Sequence, residues 1–493
     1  MSSPYTIASI RNADRIFVGG QWINACGTGS IEVRDSASED VFLIVPAAGH
    51  DDVERAVSAA REAFDNGPWS TMTPAERAGY LMRIADGIDR RSADFADSWT
   101  SESGVLRAHA EYVAMMCSGV FRYYAGLAES FAWQEKHTAM DGLPALLVRE
   151  PVGVVAAIVP WNAPATLMTY KVAPALLAGC TVIVKASPEA PSSAYLLAEI
   201  CEEIGLPPGV LNVLAADRDV SESLVRNPGI DKVSFTGSTV AGRKIASICG
   251  ERIARCTLEL GGKSPAIILD DYDVGKAAEA IATAAPFMTG QVCSSLTRII
   301  ISESRHDDFV DALSASFGAV RVGDPRDPQS GMGPLASDLQ RGRVENYIAA
   351  GKADGARLVC GGGRPAHLNR GYYIEPTVFA SVDNNWTIAQ EEIFGPVLSV
   401  IPAKDEQDAI RIANDTIYGL NSSIFTHDAE KAYAIGRRLR AGTVGHNAFK
   451  SDFSISFGGF KQSGLGREGG VEGLHPYLEA KTMILETMPR AGL

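Results

Sequence analysis

At 493 residues the chain is about three times as long as a typical single domain, so two or three domains with large cores are expected. With 46% apolar and 21% charged residues, 48 Gly and 25 Pro, the composition excludes a disulfide-stapled peptide and disordered, collagen-like or coiled-coil classes. Forty-five Lys and Arg against 59 Asp and Glu leave a net charge of −14, and no basic run offsets it, which sets nucleic acid aside as a partner.

The opening MSSPYTIASIRNADRIF lacks the basic and apolar regions of a signal peptide. No apolar run approaches the roughly 20 residues that a membrane helix requires. The expectation is a cytoplasmic protein with no membrane contact. From Asp51 to Phe64, Val53, Val57, Ala60 and Phe64 recur at helical spacing, and the pattern stops at Asn66-Gly67-Pro68. Amphipathic helices are predicted from Pro74 to about Ala96.

From Glu150 short apolar runs recur: 152–159, 180–186, 211–216, 232–237 and 257–262. Helical segments lie between them, such as Ser192 to Ile204, closed by Gly205 and Pro207-Pro208-Gly209. Strands alternating with helical crossovers predict an α/β fold with a Rossmann-like, doubly wound parallel sheet, which binds nucleotides at the carboxyl ends of its strands. A second α/β pattern, with strands at 297–302 and 395–402, fills residues from about 262 to 455. No Pro/Gly/Ser-rich linker separates the halves, so a site is expected in the cleft between them.

Eight cysteines are scattered at 26, 117, 180, 201, 249, 256, 293 and 360, with no CxxC pair and no His at zinc spacing. Neither a disulfide framework nor a metal is expected. Gly464 to Gly469 satisfies GxGxxG, but FGGFKQS precedes it where a strand is required, and the motif reads as a structural loop. Phe235-Thr236-Gly237-Ser238-Thr239 follows a predicted strand and opens a predicted helix. Locally it is equally an anion-binding helix start or an ordinary glycine turn capped by Ser. Its glycine spacing approaches a P-loop, yet Arg243-Lys244 stand where that motif needs Lys-Ser/Thr.

Cys293 differs from the other cysteines in lying within Gly290-Gln291-Val292-Cys293-Ser294-Ser295, a polar turn expected to be mobile and to expose a reactive thiolate. Glu259 ends an apolar strand before Gly261-Gly262-Lys263, a setting suited either to proton transfer or to an ion pair.

Taken in order, FVGGQWI, PWNAP at 160–164, FTGST at 235–239, LELGGKSP at 258–265, GQVC at 290–293, EEIFGPV at 391–397 and SFGGFKQSGLGREGG at 456–470 resemble the aldehyde dehydrogenase superfamily, in its hydrolytic, nicotinamide-dependent branch. The resemblance spans nearly the whole chain. It implies a cofactor domain over 1–130 and 152–261, a catalytic domain over 262–460, and a small β oligomerisation arm from 131–151 and 475–493. Cys293 is the implied nucleophile, with Asn162 and the Cys293 backbone N–H as oxyanion donors and Glu259 as the base that activates water.

For the cofactor the resemblance implies Lys185 at the adenosine ribose and Ser238 at the pyrophosphate, on the turn with Phe235 and Gly237. Trp161 is implied to border the cofactor channel, Glu392 to hold the nicotinamide ribose and Phe394 to pack near the nicotinamide. Two positions depart from the pattern. Pro188, followed by Glu189, stands where many NAD-preferring members carry Glu, so NAD is expected with NADP left open; Ser456 replaces the usual Pro before Phe457.

The implied aldehyde tunnel runs past Ala163, Thr166, Tyr170 and Phe287, and no Arg lies between Trp161 and Lys185 to clamp a carboxylate, which predicts uncharged aliphatic or aromatic aldehydes. A homodimer or homotetramer is implied, with apolar strand edges in the arm offered to a partner subunit. The rival readings are a CoA-acylating aldehyde dehydrogenase, which generally lacks the acid at Glu259, and a binding or structural protein that kept the fold without the chemistry.

Overall fold

A computed structural model describes residues 10–489. The first nine residues, on which the signal-peptide reading partly rests, and 490–493, the tail of the expected arm, lie outside the described residues.

Eight strands form the first sheet, in the order Gly464–Leu465, Arg255–Glu259, Lys232–Thr236, Val154–Ile158, Thr181–Ala186, Leu211–Ala215, Ile16–Val18 and Gln21–Ile23. The five central strands are parallel and the outer ones antiparallel. Parallel strands covered on both faces read as unbroken apolar runs, and Val154–Ile158 and Thr181–Ala186 are buried throughout. Their side chains alternate between two cores. Val155, Ala157, Val182 and Val184 meet helices Pro164–Ala178 and Ser192–Glu203, whereas Val154, Ala156, Ile158 and Ile183 meet helices His50–Asp65 and Thr239–Glu251.

The helix expected at Asp51 runs over His50–Asp65. The segment predicted from Pro74 to Ala96 is two helices, Pro74–Arg90 and Ser92–Ser103, broken at Arg91. The first begins in a capping box in which Thr73 and Glu76 satisfy each other's backbone N–H, with Pro74 at the first helical position. The strand expected at 257–262 is Arg255–Glu259, so Gly261 and Gly262 lie beyond its end.

The second sheet has seven strands, in the order Arg357–Cys360, Thr377–Ala380, Val397–Ala403, Leu296–Ser302, Ser264–Ile268, Asn421–Phe425 and Thr443–His446. All but the first are parallel to their neighbours. The chain then returns to the first sheet: Gly464 pairs with Glu259 and Leu465 with Leu258. Three glycines of the GLGREG segment permit this approach. A Cβ on Gly464 would meet the Leu258 carbonyl at 2.2 Å, one on Gly466 the Thr257 side chain at 3.2 Å and one on Gly469 the Phe453 carbonyl at 2.2 Å.

A separate three-stranded sheet joins Leu478–Ile484, Pro144–Pro151 and Gln134–Thr138, all antiparallel. One outer strand departs from the expected apolar edge: Gln134–Thr138 reads QEKHT and is mostly exposed, while the opposite edge carries exposed Met483 and Ile484. Among the described residues no helix is long and apolar enough to cross a membrane.

Candidate active site

The strand ends of the first sheet set the stage. In register, Ile158 lies beside both Lys185 and Phe235, and Thr236 lies beside Glu259. The turns that follow these residues therefore emerge on one edge, bringing Trp161 and Asn162, Lys185, Gly237 and Ser238, and Glu259 to the carboxyl ends of neighbouring strands.

Cys293 sits opposite, between a short 3-10 segment, Phe287–Gly290, and the strand Leu296–Ser302. The turn is pinned, contrary to the mobility expected of it. Gln291 is fully buried; its amide donates to the Ser103 and Met288 carbonyls, and its side-chain oxygen accepts from the Ala336 N–H at 3.0 Å. Thr289 donates to the carbonyls of Gly333 and Pro334, both at 3.1 Å. These bonds hold Met288 and Thr289 at φ of 50° and 55°, a left-handed conformation costly for a β-branched residue. Asn162 Nδ2 donates to the Gln291 carbonyl at 3.0 Å, so one N–H of its amide orients it and the second is left for a ligand.

Burial and the Glu392 and Glu259 carboxylates push Cys293 up, against the backbone N–H groups of Ser294 and of Cys293 itself. Glu259 is only 2% exposed, and among the described residues neither carboxylate oxygen has a hydrogen-bond partner. Burial, and then the charge of Glu468, raise it well above the usual carboxylate range, while Lys171 and Arg467 act in the opposite sense. Of its two sequence readings, the ion-pair one does not apply.

The glycines beside Glu259 are steric necessities. A Cβ on Gly262 would stand 2.2 Å from the Cys293 carbonyl oxygen, and one on Gly261 2.4 Å from a Glu392 carboxylate oxygen. Glu392 accepts from the Gly262 N–H at 3.0 Å, and burial raises it to about 7. Phe394, at φ 62°, packs edge-on against Trp161 with ring centroids 5.4 Å apart. Lys185 is buried and pulled down to about 8 by desolvation, opposed by the charges of Glu189 and Asp217. Ser238 caps the helix Thr239–Glu251 by accepting from the Ala241 N–H, and the Phe235 ring lies so close beneath Gly237 that a Cβ there would meet it at 2.5 Å. Exposed backbone donors at this helix start suit an anion.

Ala163, Tyr170, Phe287 and Val292 belong to one apolar cluster, and Thr166 contacts Cys117. Phe453, which sequence reasoning missed, stacks on Tyr170 at 4.5 Å and on Phe457 at 4.0 Å, giving an aromatic ladder along one wall. Also missed was the pair behind Glu259, in which Lys171 Nζ donates to Glu468 at 2.5 Å and to Thr236 at 2.8 Å, with both charged side chains buried. These partners are 297 residues apart, and only a lysine inside an otherwise apolar helix hinted at them.

Residues 22–483 match the aldehyde dehydrogenase family. The chain is 43% identical to a geranial dehydrogenase from Castellaniella defragrans over 95% of its length and 98% of the relative's, and 37% identical to a chloroplastic betaine aldehyde dehydrogenase from Amaranthus hypochondriacus over 96% of each. Among solved structures it is similar to a Mycobacterium tuberculosis aldehyde dehydrogenase complexed with NAD+, at 45% identity and a TM-score of 0.93 over 97% of this chain and 99% of that one. A Pseudomonas syringae aldehyde dehydrogenase mutant complexed with NAD+ and octanal matches at 38% identity and a TM-score of 0.93 over 98% of each chain.

Proposed function

The chain belongs to the aldehyde dehydrogenase family and is an aldehyde-oxidising oxidoreductase; from that premise we propose that it uses NAD to oxidise uncharged aliphatic or aromatic aldehydes to acids, through a thioester on Cys293 that water hydrolyses. The observation that carries this reading is the closeness of the Cys293 turn to the end of the Glu259 strand: a Cβ on Gly262, three residues past Glu259, would stand 2.2 Å from the Cys293 carbonyl, and the Glu259 charge acts on the Cys293 thiol.

The residues present fit a dinucleotide. The helix start at Ser238 takes the pyrophosphate, the buried Lys185 an adenosine ribose hydroxyl, and the half-buried Glu392 carboxylate the nicotinamide ribose, with Phe394 and Trp161 beside the ring. Ser187 donates to Glu189 next to Lys185, so a carboxylate occupies the neighbourhood left without one at Pro188, which favours NAD over a 2′-phosphorylated cofactor. When bound, NAD accepts a hydride.

Cys293 gives up its thiol proton to water and adds as thiolate to the aldehyde carbon, and the free N–H of Asn162 and the Cys293 backbone N–H receive the oxyanion. Loss of hydride from that carbon leaves the thioester. Glu259 then takes a proton from water, the C–S bond breaks, and acid and thiolate separate. The raised Cys293 pKa makes thioester formation, and with it kcat/KM, rise with pH, and the raised Glu259 pKa does the same for the hydrolysis step. The aromatic ladder Tyr170–Phe453–Phe457 and the apolar Ala163 and Phe287 favour a neutral substrate tail.

In this reading the first sheet is the cofactor domain (1–130 and 152–261), the second the catalytic domain (262–460), and the three-stranded sheet the arm of a cytoplasmic homo-oligomer. The test is NADH formation from neutral and acidic aldehydes without CoA, by wild type and Glu259→Gln. Steady turnover by wild type and a burst of one NADH per site by the variant are expected. Turnover only with CoA would make the enzyme an acylating one and remove the role given to Glu259.

A further inference from the structure

The helix that begins at Ser238 and the strand that ends at Glu259 are joined by a tight corner. The helix closes at Glu251, Ile253 takes a left-handed φ of 57°, and the Ala254 N–H returns to the Cys249 carbonyl at 2.9 Å. This turn folds Ala254, the residue before the strand Arg255–Glu259, back beside the last turn of the helix. Cys249 and Cys256 are thereby packed in one apolar cluster with Ile245, Ile248 and Val233, where each thiol acts on the other.

Their surroundings differ. Cys249 is 1% exposed, whereas Cys256 is half-buried at the strand start. The charged groups that act on them are Lys232 and Arg252. Lys232, on the adjacent strand, donates to Thr257 at 2.7 Å and acts on both thiols, and Arg252 acts on Cys249. Arg252 Nη1 donates to the Ile230 carbonyl at 2.6 Å, while its buried Nε and Nη2 have no partner among the described residues, which leaves donors for an anionic sulfur species. The hydrogen bond from Cys249, then the charge of Lys232, overcome burial and pull Cys256 down to about 7, while Cys249 is pushed up. Burial pushes Cys117, Cys180 and Cys201 up as well, and carboxylates add to that rise at Cys293.

We propose that Cys249 and Cys256 form an oxidisable dithiol, a modification site separate from the aldehyde chemistry, which hydroperoxides convert to a disulfide joining the helix end to the strand start. The Cys256 thiolate attacks one peroxide oxygen, the O–O bond breaks, and hydroxide leaves to become water, giving the sulfenic acid. Cys249 sulfur then attacks Cys256 sulfur, the S–O bond breaks, and a second water departs with the Cys249 proton. Two thiols and one hydrogen peroxide give one disulfide and two waters.

The test treats the reduced full-length protein with equimolar hydrogen peroxide, alkylates the remaining thiols and maps the peptides by mass spectrometry. A 249–256 linkage is expected before any modification of Cys293, forming roughly tenfold faster at pH 8 than at pH 6 as the attacking thiol ionises. Cys249→Ser should leave a dimedone-reactive sulfenic acid at Cys256, and Cys256→Ser should abolish the linkage. Oxidation of Cys293 ahead of the pair in wild type, or a linkage rate independent of pH, would overturn the proposal. The wild-type map decides the question whether or not the variants fold.

Discussion

Replacing Lys171 by Met tests whether the buried pair behind Glu259 holds the fold together. Met keeps the apolar length of the lysine stem but removes the ammonium, leaving Glu468 1% exposed without its cation. What remains to Glu468 is the Ser234 hydroxyl at 3.4 Å on one oxygen and nothing on the other. Breaking one partner out of a buried ion pair costs about 3–5 kcal/mol because the surviving charge is desolvated and uncompensated. The Thr236 hydroxyl also loses its 2.8 Å donor, a smaller loss of about 1 kcal/mol inside that range. Replacing both partners, in Lys171→Met/Glu468→Leu, removes the uncompensated charge and should bring stability back to within about 1 kcal/mol of wild type. Equilibrium urea unfolding followed by circular dichroism, with refolding checked, measures all three proteins. A double variant as unstable as the single one would show that packing, and not the orphaned carboxylate, accounts for the loss.

Glu468→Gln removes the like charge that raises Glu259, so the pH midpoint of acyl-enzyme hydrolysis, read in rapid-quench experiments, should move to lower pH; an upward shift would contradict the assignment of Glu259 as base. Gly262→Ala places a Cβ 2.2 Å from the Cys293 carbonyl and should lower kcat about 100-fold with the circular dichroism spectrum unchanged, since small displacements of a reacting group are costly. Wild-type kcat in that variant would mean that the turn yields freely. Asn162→Ala should lower kcat by about 10²–10³ as an oxyanion donor is lost, while the affinity for NAD measured by fluorescence titration stays the same.

Much of this architecture could be read from local patterns. Unbroken apolar runs such as Val154–Ile158 mark strands covered on both faces, and Thr73-Pro74 with Glu76 marks a helix start within the chain that produces it. The candidate site residues were proposed from motif order, and the structure shows that LELGG carries a steric requirement in its glycines, since a Cβ on Gly262 would meet the Cys293 carbonyl. What escaped notice depends on distant partners. Phe453 is an unremarkable loop aromatic until Tyr170 and Phe457 stack on it, and Lys171 looks misplaced in its helix until Glu468 arrives from the other end of the chain. The pinned turn at Cys293 likewise rests on Ser103, Gly333 and Ala336, none of them near it in sequence. Polar residues at 290–295 correctly signal a turn, but rigidity belongs to contacts that composition does not carry.

The return of Gly464–Leu465 to the strand that ends in Glu259 also has a bearing on the order of events during synthesis. A nascent chain that has left the ribosome up to residue 460 already holds all the strands of the second sheet and every interior strand of the first. It still lacks the edge that covers Glu259, the Glu468 partner of Lys171 and the Tyr477 hydroxyl that reaches Ser234. Until those segments emerge, Lys171 has no counter-ion and the edge strand is open to pairing with another chain, an aggregation hazard typical of late, long-range contacts. The candidate site is therefore completed last, so an incomplete chain carries Cys293 and Glu259 without the segments that close around them.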